Sequence, residues 1–212
     1  MSNKIKVLLV DDHAIVRNGV KLMLGEADDI AVNGEASTAQ EALKLIRSGE
    51  FDVALIDIAM PDKSGLDLLK QLRSEQPRLA VLILSTYSEE IYAMRAFKLG
   101  AAGYLTKDSP TGELIQAVRK AASGGKHVSP AMMEKLVSAI GGESGGSHEA
   151  LSNRELEVLK LIAAGESLVK IAETLHLSPH TVTTYRARIM EKMGLTNNAE
   201  LTRYAIENGL LA

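Results

Sequence analysis

Three carboxylates, one hydroxyl and one lysine stand where short apolar runs end. Asp11 and Asp12 directly follow the run Ile5–Val10, and Asp57 closes the run that opens at Phe51. Ser85 follows residues 79–84, and Lys107 lies just past 102–105. Acids brought together repel, so either their pKa values rise or a cation neutralises them. Mg²⁺ suits such a place, because it is hard, octahedral and satisfied by one or two carboxylates, waters and a phosphate oxygen. A carboxylate can itself accept a phosphoryl group as an acyl phosphate. A lysine and a cation would then stabilise charge on the transferring group, and a serine hydroxyl could donate to one of its oxygens. Taken singly, an aspartate after a strand is more often a turn former or helix cap, and a lone lysine is more often solvated. Their conjunction, each at its own strand end, favours the chemistry.

The elements that must position these residues follow from periodicity. Apolar runs at Ile5–Val10, 30–32, 51–56, 79–84 and 102–105 predict strands. Between them, helical spacing predicts helices over 13–24, 39–46, 66–72, 89–98 and 111–122. Ser37 and Thr38 with Gln40 and Glu41 suggest a capping pair, and Ser109-Pro110 reads as an N-cap with a first-turn proline. Five strand–helix repeats predict an α/β domain over 1–122, a doubly wound, parallel five-stranded sheet with helices on both faces. In the flavodoxin-like strand order 2-1-3-4-5, these side chains would meet at the carboxyl edge, where open parallel sheets bind ligands.

The composition then changes. Residues 123–150 read as a linker with a short helix over 130–140 and the flexible stretch GGESGG at 141–146. From 151 to 212 strand signals vanish. Ser152 and Glu155 form a capping box for 155–164, a second helix covers 167–175, Ser178-Pro179 opens a third that Gly194 stops, and Asn197 with Glu200 opens a fourth. This predicts a small all-α, four-helix unit. Two helices joined by a tight turn, the second opened by Ser-Pro, suggest a helix-turn-helix whose second helix would enter a DNA major groove. Thr183, Thr184, Ala187 and Arg188 share adjoining faces, and Arg186, Arg188 and Lys192 suit phosphates. Seven basic and seven acidic residues over 151–212 leave that unit neutral. A plain helical interaction domain is therefore an open alternative.

The totals exclude several classes. The 212 residues carry a net charge of -3 and no cysteine, which removes disulfides, thiolate zinc sites and cysteine nucleophiles. No GxxxxGK loop is present. The short apolar run at the N-terminus, followed at once by acids, is not a signal peptide, and no run approaches a membrane span. A cytoplasmic protein without membrane contact is expected. His176 and His180 are four apart, but Ser178-Pro179 separates them, so a shared metal is not expected.

VLLVDDH, ALIDIAMP, VLILS and GYLTK resemble the receiver domain of two-component response regulators. The resemblance implies Asp57 as phosphoacceptor and Asp11, Asp12, Asp57 and the Ala59 backbone carbonyl as Mg²⁺ ligands. It also implies Ser85 as the switch hydroxyl, Tyr104 as an aromatic that turns inward, Lys107 as the site lysine, and a sensor histidine kinase as phosphoryl donor. Thr86 is a rival hydroxyl. Asp108 stands where many receivers have proline, which leaves the isomer of the Lys107–Asp108 bond open. LSNRELEVL, IAETL, LSPHTV and EKMGLTNNAEL resemble the LuxR-type DNA-binding domain. That implies Thr183, Thr184 and Ala187 near bases, with Thr181, Arg186, Arg188 and Lys192 toward the backbone. Together the chain resembles the NarL/FixJ class, which implies double-stranded DNA with inverted half-sites and a homodimer. The last helix, with Leu201, Tyr204, Ala205 and Leu210, is the expected dimer contact. The rival activity, an aspartyl-phosphate hydrolase, wants a second aspartate two residues after the nucleophile, where this chain has Ala59. The expectation is therefore no enzyme of external substrates, only a chain that catalyses its own phosphoryl transfer and dephosphorylation.

Overall fold

The computed structural model describes residues 4–60, 63–86, 89–130, 132–134 and 147–211. The chain divides into two compact units, Met1–Lys135 and Leu136–Ala212. In the first, strands β1 (Ile5–Val10), β2 (Ile30–Ala36), β3 (Val53–Asp57), β4 (Ala80–Ser85) and β5 (Gly103–Thr106) alternate with helices. These are α1 (Ala14–Gly25), α2 (Ala39–Ser48), α3 (Gly65–Glu75), α4 (Glu89–Lys98) and α5 (Thr111–Ala122). The strands are parallel in the order β2-β1-β3-β4-β5. Asp57 is the last residue of β3, as expected, and Ser85 is the last residue of β4 rather than the first beyond it.

The central strands are apolar on both faces because helices cover both. Val7, Leu9, Val53, Leu55, Leu82 and Leu84 pack with Val20 and Leu24 of α1 and Leu114, Ala117 and Val118 of α5. The alternate residues Leu8, Val10, Ala54, Ile56, Val81 and Ile83 are equally buried, as are Ala42, Ile46, Leu69 and Phe97 from α2, α3 and α4. β2 runs four residues past its apolar start, through Asn33, Gly34, Glu35 and Ala36, with a register shift opposite Val7/Leu8. Thr38 caps α2 by accepting from Glu41 N–H at 3.1 Å, while Ser37 N–H donates back to Glu41. The expected Ser109 cap does not form. Pro110 takes the N-cap position of α5, and the Ser109 hydroxyl lies 3.2 Å from that of Thr106. After α5, His127 pairs in parallel with Gly103 at the β5 edge. The expected helix over 130–140 falls largely outside the described residues, and GGESGG falls wholly outside them.

The second unit opens with a 3-10 turn at Ser147–Ala150, followed by α6 (Asn153–Ala163), α7 (Leu168–Thr174), α8 (Pro179–Met193) and α9 (Asn198–Glu207). The side chains of Ser152, Ser167, Ser178 and Asn197 each cap a helix by accepting from a backbone N–H three residues on. Gly194 ends α8 with φ 66°, the left-handed cap that glycine adopts without a Cβ penalty. In the turn between α7 and α8, His176 takes a left-handed φ of 52°. Leu156, Leu159, Ile171, Val182, Ile189, Leu201, Ala205 and Leu210 form the core. Of the stripe expected to serve as dimer contact, Leu201, Ala205 and Leu210 are buried in the unit's own core, and Ile206 is the large apolar side chain that α9 leaves exposed.

Candidate functional site

The sheet brings Asp11, Asp57, Ser85 and Lys107 to one edge. β1, β3, β4 and β5 are neighbours in register and end together, with Val10 beside Ile56, Asp57 beside Leu84 and Ser85 beside Thr106. Lys107 is held there because its N–H donates to the Ser85 carbonyl at 2.8 Å. Its ammonium reaches Asp57 Oδ2 at 2.8 Å and Asp11 Oδ2 at 2.7 Å. Burial alone would lower the Lys107 pKa, but hydrogen bonds to Asp11 and Asp57 and their charges hold it above the ordinary lysine value. Among the described residues there is no cis peptide bond, so the Lys107–Asp108 bond is trans.

Asp57 is 2 % exposed. Burial pushes its pKa up to about 6, against the pull of Lys107 and an N–H bond from Ala59, with Asp11 adding to the rise. A pKa raised on folding means stability that is present below the unfolded value of 3.8 and lost as pH rises through about 6. Ionised Asp57 therefore costs stability at neutral pH. Asp57→Asn is expected to stabilise the first unit by about 1–2 kcal/mol at pH 7, since the full shift is worth about 3 kcal/mol and Lys107 loses a partner. Urea unfolding at pH 7 and pH 4 checks this, and an advantage that persists undiminished at pH 4 would contradict it.

Asp12 and His13 complete the cluster. Ligand atoms of Asp11, Asp12, His13 and Asp57 all lie within 4.8 Å of one another. Asp11 Oδ2 and Asp12 Oδ1 are buried and lack a well-aligned hydrogen-bond donor. Close contacts stand beside them instead, the Lys107 ammonium at 2.7 Å from Asp11 and the His13 ring nitrogen Nδ1 at 2.8 Å from Asp12. Hard carboxylate oxygens in surplus over cationic partners fit a divalent cation. Ser85 is fully buried and Tyr104 is 4 % exposed, so the aromatic already faces inward, whereas Thr86 is exposed.

Sequence reasoning missed Gly65. Its N–H donates to the Ile58 carbonyl at 2.9 Å, and a Cβ built on it would meet the Asp57 carbonyl oxygen at 1.9 Å. The signal was a glycine at the start of a helix, where a side chain is ordinarily tolerated.

On the second unit, Thr183, Ala187 and Arg188 are exposed on α8, while Thr181, Thr184, Tyr185 and Arg186 are half-buried. The hydroxyls of Thr183 and Thr184 donate to the carbonyls of Pro179 and His180, which leaves their oxygens as acceptors. Arg186 Nε donates to Asn198 Oδ1 at 2.8 Å. The Lys192 ammonium donates to the buried Glu155 at 2.6 Å, and its side chain remains 41% exposed.

Residues 7–119 match the family described as "Response regulator receiver domain", and residues 149–205 match "Bacterial regulatory proteins, luxR family". The response regulator GacA of Pseudomonas aeruginosa is 36% identical over 209 residues, 98% of each chain. The crystal structure of ChrA, a response regulator of a heme-sensing two-component system, is 33% identical over 99% of this chain and 100% of its own, with a TM-score of 0.54. RcsB from Salmonella enterica serovar Typhimurium, bound to promoter rprA with the phosphomimetic BeF3-, is 26% identical over 95% and 98% of the two chains, with a TM-score of 0.64. No helix among the described residues is long and apolar enough to cross a membrane. A parallel sheet with acids and a lysine at its carboxyl edge, followed by a luxR-family helical unit, makes this chain a member of the two-component response regulators, in the NarL/FixJ class.

Proposed function

We propose that this regulator takes a phosphoryl group on Asp57 from a phosphohistidine of a sensor kinase and thereby controls binding of α8 to specific DNA. The observation that carries the reading is the Lys107 ammonium bridging the buried carboxylates Asp11 and Asp57 at the strand ends. With a pKa of about 6, Asp57 is still largely ionised, hence nucleophilic, at pH 7. Its oxygen attacks phosphorus, and the donor nitrogen leaves. Lys107 then lies where it can pair with the new phosphoryl oxygens. Asp11, Asp12, Asp57 and the Ala59 carbonyl would hold Mg²⁺, whose charge would offset that of the group in transfer. Burial favours Ser85 over Thr86 as the hydroxyl that meets the phosphoryl group, and Tyr104 on the neighbouring strand as the element that reports the change.

The chain is not an enzyme of external substrates, because Ala59 offers no acid or base for hydrolysis. It works in the cytoplasm. The RcsB complex with promoter DNA and a structure of two RcsB dimers on two DNAs support duplex DNA and a second copy of the chain as partners. Thr183, Thr184 and Ala187 approach bases, and Thr181, Arg186 and Arg188 approach phosphates. Lys192, 41% exposed, also approaches a phosphate.

The test is intact-mass analysis after incubation with a small acyl-phosphate donor and Mg²⁺. The native chain should gain one phosphoryl group and Asp57→Ala none. DNA affinity measured with and without the modification follows. No gain by a folded native chain would end the phosphoacceptor reading for small donors.

A further inference from the structure

We infer that His13 is a further protein ligand, the one nitrogen donor beside the oxygens of the acid cluster, and gives it a preference for imidazole-binding first-row dications over Mg²⁺. This rests on the cation-site reading of Asp11, Asp12 and Asp57. The two oxygens of Asp11 face different partners. Oδ2 points to Lys107, whereas Oδ1 accepts the His13 backbone N–H at 2.8 Å and lies 3.4 Å from the ring nitrogen Nδ1. Asp12 Oδ1 lies 2.8 Å from the same ring nitrogen. On the side away from Lys107, the cluster therefore presents two carboxylate oxygens and one imidazole nitrogen. Adjacent ligands of an octahedral ion with bonds of about 2.1 Å stand about 3 Å apart. The spacings of 2.8 and 3.4 Å bracket that edge.

The imidazole can adopt this role without unfolding anything. The His13 side chain is 64% exposed, so the ring has room to adjust on a backbone that the Asp11 bond already fixes at the start of α1. Mixed nitrogen and oxygen donors discriminate. Carboxylates and waters suit Mg²⁺, whereas imidazole adds affinity for Co²⁺, Ni²⁺ and Zn²⁺. Mg²⁺ would retain water in preference to an imidazole, and so would gain little from His13.

The experiment is calorimetric titration of the full chain and of His13→Ala with Co²⁺ and with Mg²⁺, beside pulsed electron paramagnetic resonance of the Mn²⁺-loaded proteins. The expected result is a Co²⁺ affinity at least tenfold weaker in His13→Ala, with Mg²⁺ affinity within twofold of native. Modulation from ¹⁴N should be present in the native Mn²⁺ spectrum and absent from that of the variant. An equal change for both ions, or no ¹⁴N modulation in the native spectrum, would overturn the assignment and leave His13 as a hydrogen-bond partner of the carboxylates. Asp12→Ala separates the two layers. If it leaves Mg²⁺ and Co²⁺ binding untouched, the acid cluster is not the cation site, and both readings fall together.

Discussion

Replacing Gly65 by alanine is expected to slow phosphorylation of Asp57 by about a hundredfold and to destabilise the first unit by about 3 kcal/mol. The added carbon would stand 1.9 Å from the Asp57 carbonyl oxygen, 2.8 Å from its carbonyl carbon and 3.0 Å from Ile58 Cα. All three are backbone atoms, so no rotamer change relieves the contact. Either α3 moves out and gives up the Gly65–Ile58 hydrogen bond, or the end of β3 moves and carries Asp57 away from Lys107. Gly19 is the control. It lies within α1, and a β-carbon added there would meet nothing within 4 Å. Gly19→Ala is expected to stabilise by about 0.5–1 kcal/mol with labelling unchanged. Urea unfolding and intact-mass time courses read both effects. Native stability and native labelling in Gly65→Ala would mean that this close approach does not position Asp57.

The second large effect is expected at Glu155. Its carboxyl is 3% exposed, and one oxygen accepts both the Ser152 N–H at 2.7 Å and the Lys192 ammonium at 2.6 Å. Removing it uncaps α6 and releases the Lys192 ammonium, which is 41% exposed and can be solvated, so Glu155→Ala should cost the second unit about 2 kcal/mol through the lost cap and the lost tie to α8. Burial raises the Glu155 pKa, but Lys192 and Ser152 outweigh that and hold it below the usual 4.5. A pKa depressed on folding gives stability that is present above 4.5 and lost as pH falls through the folded value. Glu155→Gln keeps an acceptor for Ser152 and loses only the charge. Its deficit against the native chain should shrink as the pH drops below the carboxylate range. Lys192→Met should cost about 3 kcal/mol, because it leaves a carboxylate that is 3% exposed without its cation. Thermal melts of the three variants at pH 7 and pH 4 decide the matter, and three identical melting curves would refute it.

What the sequence made legible were residues whose type and position speak together. Asp57 at the end of an apolar run, and Lys107 just past another, needed only the parallel topology to meet. The end of β2 was hidden because it is an edge strand. Asn33, Gly34 and Glu35 need no apolar side chains there, and the register shift beside Leu8 breaks the alternation that would have marked them. Gly65 was hidden because its role is a contact with backbone 8 residues earlier, which no local pattern encodes. The tie of Lys192 to Glu155 was hidden for a related reason, since the two lie 37 residues apart in sequence. The stripe on α9 was ambiguous in principle, since core packing and a dimer face use the same residues.

The parallel sheet also imposes an order in time. Asp57 and Lys107 are separated by 50 residues, and every strand pair of the first unit joins segments divided by a whole helix or more. Each pairing must close a long loop before it gains anything, which slows folding. The helices of the second unit start from local contacts, with caps that close over three residues. These helices can begin to form while the strands are still searching for their neighbours. Acyl-phosphate chemistry at Asp57 is thus a property acquired at the end of folding, when β5 has delivered Lys107, so a chain able to carry the signal is one whose receiver has already finished assembling.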